Sequence, residues 1–151
     1  MTKAVGPCNA FCMTDNPLHP AEFPLDLSQN PIHLGLGARA QPQSAITGME
    51  WYADYVERHA ADGAEGRLVA EHTFTASWDS WEMHPQGAEV VYCIRGEMTL
   101  LQEKDGQVIS VQISTGQYAI NEPGVWHTAD VKESCTALFI TAGLGTQHRN
   151  R

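Results

Sequence analysis

Residues 82–96 read Glu82-Met83-His84-Pro85-Gln86-Gly87-Ala88-Glu89-Val90-Val91-Tyr92-Cys93-Ile94-Arg95-Gly96. Side chains two apart on a strand share a face, so Glu82 and His84 point the same way. The turn residues Pro85-Gln86-Gly87 then reverse the chain, and Glu89 opens the next strand beside them. A second segment, Asn121-Glu122-Pro123-Gly124-Val125-Trp126-His127, delivers another histidine just after a turn. Two histidines with carboxylates at the ends of strands make a candidate metal site, because imidazole and carboxylate together suit mid-series divalent ions.

Outward from this stretch the chain keeps the texture of short strands. From Arg67, runs expected at about 78–84, 88–95, 97–103, 107–113, 117–121, 125–131 and 134–142 are separated by turn signals. These are Pro85-Gln86-Gly87, Arg95-Gly96-Glu97, Lys104-Asp105-Gly106, Thr115-Gly116 and Pro123-Gly124. Many short strands at this spacing imply an antiparallel sandwich or barrel. One helix is expected before them. Thr47-Gly48-Met49-Glu50 reads as a capping box. Trp51, Tyr52, Tyr55, Val56 and His59 follow at helical spacing, and Asp62-Gly63 ends the run.

Residues 1–46 hold six of the eight prolines and are expected to be irregular. Their Phe11, Leu18, Phe23, Leu25, Leu27, Ile32 and Leu34 want cover, so the arm is expected to pack on the body or on a partner subunit. The organisation is then an arm over 1–46, a helix and connector over 47–66, a barrel over 67–146 and a solvated tail over 147–151.

The 151 residues suit one domain, with 42% hydrophobic and 18% charged residues. The formal charge of −9 repels phosphate backbones and anionic bilayers, which argues against nucleic-acid and membrane partners. No apolar run is long enough to span a bilayer, and the start lacks a secretory core, so a cytoplasmic location is expected. The cysteines, Cys8, Cys12, Cys93 and Cys135, match no zinc or redox spacing. Cys93 and Cys135 are expected to be small buried hydrophobes, and a bridge or metal role for Cys8 and Cys12 is disfavoured.

The two segments resemble the motifs of the cupin superfamily. The family's first motif is His-x-His, three or four residues, Glu, six residues, Gly. Glu82-x-His84, Glu89 and Gly96 keep that spacing. The second motif is Gly, five residues, Pro-x-Gly, two residues, His, three residues, Asn, and here Gly116, Gly124 and His127 fit. The departures are Glu82 in place of the first histidine, Pro123 one place late, Val131 at the asparagine position and Ala76 at the preceding glycine. The resemblance covers about residues 68–142. It implies an all-β chain: a single jelly-roll barrel with a divalent metal (iron, manganese, nickel or zinc) inside. His84, Glu89 and His127 would be its ligands, and Glu82 either a fourth ligand or a catalytic base.

By strand parity Val91, Cys93 and Arg95 should share the face of Glu89, and Val125 and Ala129 that of His127. Trp81 and Trp126 take the opposite parity and are expected to pack outward, against the helix or a second subunit. His19, His33, His59, His72 and His148 match no motif position and are expected at the surface or in hydrogen bonds. Functionally, the resemblance implies a metal-dependent small-molecule enzyme of dioxygenase, isomerase or lyase type. The alternative is a non-catalytic small-ligand or metal-sensing barrel. A homodimer is expected, since the arm and the outward tryptophans need burial.

Overall fold

A computed structural model describes residues 23–151. Cys8, Cys12, His19 and the first half of the arm lie outside the described residues. Ten strands form one antiparallel sheet in the order β10-β4-β8-β5-β9-β3-β1-β2, with β6 and β7 also on β5. They are β1 (Ile32–Gly35), β2 (Arg39–Pro42), β3 (Arg67–Phe74), β4 (Ser80–Met83) and β5 (Glu89–Lys104). They continue with β6 (Gln107–Ser114), β7 (Tyr118–Asn121), β8 (His127–Asp130), β9 (Cys135–Thr141) and β10 (Gln147–Asn150). One helix, α1 (Met49–Arg58), precedes β3. The sheet folds on itself as a jelly roll whose edge strands, β2 and β10, are not paired to each other.

β5 is the spine. Its first half pairs with β7 and β9, and its second half with β6 and β8. The signal Arg95-Gly96-Glu97 is therefore not a turn between two strands. It is a β-bulge, with the register against β9 shifting between Cys93 and Arg95. Before it the buried side chains are odd-numbered (Glu89, Val91, Cys93), and after it even-numbered (Met98, Leu100, Gln102). Arg95 consequently does not share the face of Glu89 but is exposed. Gly96 has φ of +83°, and a Cβ there would collide with the Ser134 carbonyl, so glycine is needed at the bend. Beyond it, Asp105 and Gly106, both at positive φ, close a two-residue hairpin to β6.

The main core collects Val91, Met98, Leu100, Ile113, Ala129, Val131, Ala137 and Phe139 from both halves of the fold. Leu100 is fully buried, and its truncation to alanine costs about 2–5 kcal/mol. Cys93 and Cys135 belong to this core, free and with sulfurs 3.7 Å apart. Burial pushes the Cys135 thiol up to about 12, which suits an inert packing group.

A second core sits where α1 lies on β3: Trp51 and Tyr55 bury against Leu68 and Ala70. The capping box is not formed. Gly48 is the N-cap and no side chain caps the helix. The helix also stops at Arg58, before a short 3-10 segment, Ala60–Glu65, that carries buried Asp62. The expected irregular arm contains the β1–β2 hairpin, with Pro31 and Pro42 bounding it rather than breaking it. Its His33 is buried, with Nδ1 2.7 Å from the Tyr55 hydroxyl and Nε2 2.7 Å from Asp62. Asp62 also accepts from Arg39, so this cluster ties hairpin, helix and connector together. The tail is solvent-exposed and yet ordered as β10, paired to β4.

Candidate metal centre

Four side chains converge at one end of the roll. β4 supplies Glu82, and its last residue is followed by His84. β5 opens with Glu89, and β8 opens with His127. The pairing of β4 with β8 sets Glu82 directly opposite His127. The ligand-type atoms of Glu82, His84 and His127 all lie within 4.8 Å of one another. His127 Nε2 is 3.2 Å and His84 Nε2 3.4 Å from the two oxygens of Glu89, and His84 Nε2 is 3.5 Å from Glu82. All four residues singled out from the sequence are thus brought together.

The hydrogen bonds around the histidines fix which nitrogen is free. His127 Nδ1 lies 3.0 Å from the Val125 carbonyl, which can only accept, so Nδ1 carries the proton. His84 Nδ1 lies 2.8 Å from Thr146 Oγ1. That hydroxyl already donates its own hydrogen to the Gly143 carbonyl, so it accepts from His84. Both imidazoles therefore turn an Nε2 lone pair toward the carboxylates. Both Nε2 atoms are buried without a hydrogen-bond partner. A buried acceptor lone pair facing a carboxylate calls for a positive charge between them, either a proton or a metal ion. The spacing fits one: ligands about 2.0–2.2 Å from a common ion stand roughly 3.0–3.5 Å apart.

Glu89 is braced from both sides. Asn121, its register partner on β7, donates to one oxygen at 3.0 Å. Thr141, its partner on β9, donates to the other at 2.7 Å. Gln102 in turn donates to Asn121 at 2.7 Å, orienting that amide. Burial disfavours the Glu89 carboxylate, but the imidazoles of His127 and His84 outweigh it and hold its pKa below the usual range. Burial likewise opposes a charged His127, and Glu89 more than offsets it, raising its pKa. Glu82, 27% exposed, is pushed up by burial and by the Glu89 charge, so it takes a proton more readily than an ordinary glutamate.

The sequence reading gave no supporting role to Asn121, Thr141, Gln102 or Thr146, and expected His148 only at the surface or in a hydrogen bond. The tail carries His148 to 3.7 Å from Glu82, its register partner on β10. Trp81 and Trp126 do face outward, but what covers them is the Arg149 guanidinium, 5.2 and 4.4 Å from their rings. Beside the centre opens a cavity of about 1000 Å³. Trp78 lines it, with its ring 6.4 Å from that of His127. Tyr52 of α1 lines it too, and burial, then the charges of Glu82 and Glu89, raise its phenol pKa, keeping it neutral.

In fold the chain is similar to solved cupin structures. No family model and no curated protein matches the chain. Among solved structures, a cupin-2 domain protein from Shewanella frigidimarina matches 50% of this chain and 69% of its own, at 19% identity and TM-score 0.43. A double-stranded β-helix protein from Klebsiella pneumoniae matches 56% of this chain and 76% of its own, at 21% identity and TM-score 0.47. An oxalate oxidase matches 60% of this chain and 50% of its own, at 15% identity and TM-score 0.49. The likeness is one of fold. Among the described residues, no helix is long and apolar enough to cross a membrane.

Proposed function

We propose that the chain is a metal-dependent small-molecule enzyme whose mononuclear divalent ion is held by His84, Glu89 and His127. The observation that carries this reading is the pair of buried Nε2 lone pairs directed at carboxylates across 3.2–3.5 Å. Two imidazoles and carboxylate oxygen suit iron, manganese, nickel or zinc. When bound, the ion supplies Lewis acidity toward a substrate oxygen and open coordination positions.

The protein supplies the rest. Asn121 and Thr141 fix the Glu89 carboxylate, while Thr146 and the Val125 carbonyl fix the imidazole tautomers. Glu82 is the proton carrier. It faces the centre at the edge of the cavity, with a pKa raised by burial and by Glu89, as a group that both accepts and returns a proton requires. This arrangement serves a dioxygenase, isomerase or lyase.

Elemental mass spectrometry of native-purified protein tests the reading. About one divalent ion per chain is expected, lost in His127→Ala and retained in Glu82→Gln. A wild type that takes up no metal even on reconstitution overturns it and leaves a ligand-binding barrel. The outer face of β5 and β7, where Tyr92, Tyr118 and Ile120 stand exposed side by side, supports a homodimer through that face. Sedimentation of Tyr118→Lys against the wild type checks it: a dimer that dissociates supports the interface, and an unchanged dimer rejects it.

A further inference from the structure

The strands at the margins of the fold are not alike. β2, β7 and β10 are each four residues long. β2 holds Arg39 and Pro42, β10 holds Arg149 and is followed by Arg151, and β7 runs straight into Glu122-Pro123. Shortness, charge and proline all discourage a foreign strand from adding to a sheet. β6 has none of these protections. It is eight residues long and pairs with β5 along its whole length, and among the described residues no strand pairs with its other side. From Gly106 to Asn121 the chain contains no charged residue and no proline.

The side chains of β6 also run short of cover. Ile113 lies in the main core and Val111 packs against it, so the odd-numbered residues face inward. Ile109 has the same parity and yet is 43% exposed, while Val108 on the outer side is 54% exposed. Backbone bonds of an antiparallel strand point alternately to its two sides, so half of the N–H and C=O groups of β6 face away from β5. A second copy of the chain fits this edge. A formal charge of −9 sets copies against each other, and the strip over 106–121 carries none of that charge. Antiparallel pairing about a two-fold axis sets the Asp105-Gly106 hairpin of one copy beside the uncharged Thr115-Gly116-Gln117 turn of the other. Two carboxylates on the neighbouring β5 are already engaged, Glu97 by Gln112 and Glu103 by Arg149. Pairing over eight residues forms about eight hydrogen bonds between the copies, close to the number in an ordinary stable interface. It also uses up both edges, so association through β6 closes at two copies.

We propose that β6 is a self-pairing edge, through which two copies of the chain join antiparallel into one continuous sheet. This interface is independent of the metal centre and of the face that carries Tyr118. With both surfaces in use the assembly is a tetramer, and with β6 alone it is a dimer.

The test is sedimentation of the full chain over a dilution series, with amide hydrogen exchange read on the same samples. The wild type is expected to associate. Every second amide over Gln107–Ser114 should then exchange about tenfold more slowly in the associated sample than in the diluted one, while the amides bonded to β5 stay protected in both. The double variant Val108→Lys with Ile109→Lys changes two exposed positions, so its circular dichroism should match the wild type. It is expected to halve the particle mass and to abolish the concentration dependence of exchange. Tyr118→Lys should leave that dependence in place, which separates this edge from the Tyr118 face. A wild type that is monomeric at every concentration overturns the proposal, as does an unchanged mass in the double variant. Protection of β6 that is equal at all dilutions also overturns it, and assigns the edge to residues 1–22 of the same chain.

Discussion

Two clusters in this molecule contain the same kinds of residue and come to opposite ends. His33, His59 and Asp62 lie within ligand distance of one another, as do Glu82, His84 and His127. In the first, His33 is used up: both ring nitrogens sit at 2.7 Å from Tyr55 and Asp62. Its neighbour His59 stacks on it at 3.7 Å and turns its own Nε2 to Gln43. In the second, the protein engages only the Nδ1 atoms and leaves two buried Nε2 atoms facing carboxylates beyond hydrogen-bonding geometry. The difference lies in which nitrogen is occupied. A histidine bonded at both ends is a brace, and one bonded only at the far end is a candidate ligand.

The comparison breaks most easily at the metal. His84→Ala or His127→Ala should lower bound metal more than tenfold by elemental mass spectrometry, whereas His33→Ala should leave it at wild-type stoichiometry. Metal loss in His33→Ala would erase the distinction. Stability should answer the other way. His33→Leu strands Asp62 and Tyr55, and urea denaturation should show a loss of about 2–4 kcal/mol.

A subtler change sharpens the contrast. Thr146→Val removes the acceptor that holds the His84 tautomer. Metal affinity by competitive chelation should fall about tenfold, with the unfolding midpoint nearly unmoved.

The smallest effect is a pH slope. Burial, then His33 and Arg58, hold the His59 pKa down to about 4, against about 6.5 in an unfolded chain. Between those values the unfolded chain binds more protons. His59 therefore costs no stability above about pH 6.5 and an increasing amount as pH falls toward 4. Urea midpoints measured across that window should slope less in His59→Gln than in the wild type.

Glu82, His84 and Glu89 were legible because they flank one turn, at spacings that local geometry decides, whereas His127 comes from a distant strand and was reached through the motif resemblance of its segment. Glu82 and His84 need strand parity, and Glu89 needs one reversal. Their supports were not legible, because Asn121, Thr141 and His148 are register partners of Glu89 and Glu82 on other strands. Register is set by the whole sheet, and polar residues on strands carry no mark of whom they will face. The bulge was misread as a turn because a glycine at positive φ serves both, and with that error the parity of Arg95 failed. In the arm, prolines at 31 and 42 hid a hairpin that they merely bound. At the helix start Thr47 looked like a cap, but the first turn begins at Gly48.

That bulge in β5 also acts as a half-period phase slip along a single rod. Upstream of it the inward beat falls on Glu89, and downstream on Gln102, whose amide reaches Asn121 and through it the same glutamate. Without the slip, perfect alternation would turn Met98, Leu100 and Gln102 to solvent whenever Glu89 points inward. One inserted residue thus keeps both ends of a sixteen-residue strand in tune with one carboxylate. Excising Ile94 would detune the core and the centre in a single stroke.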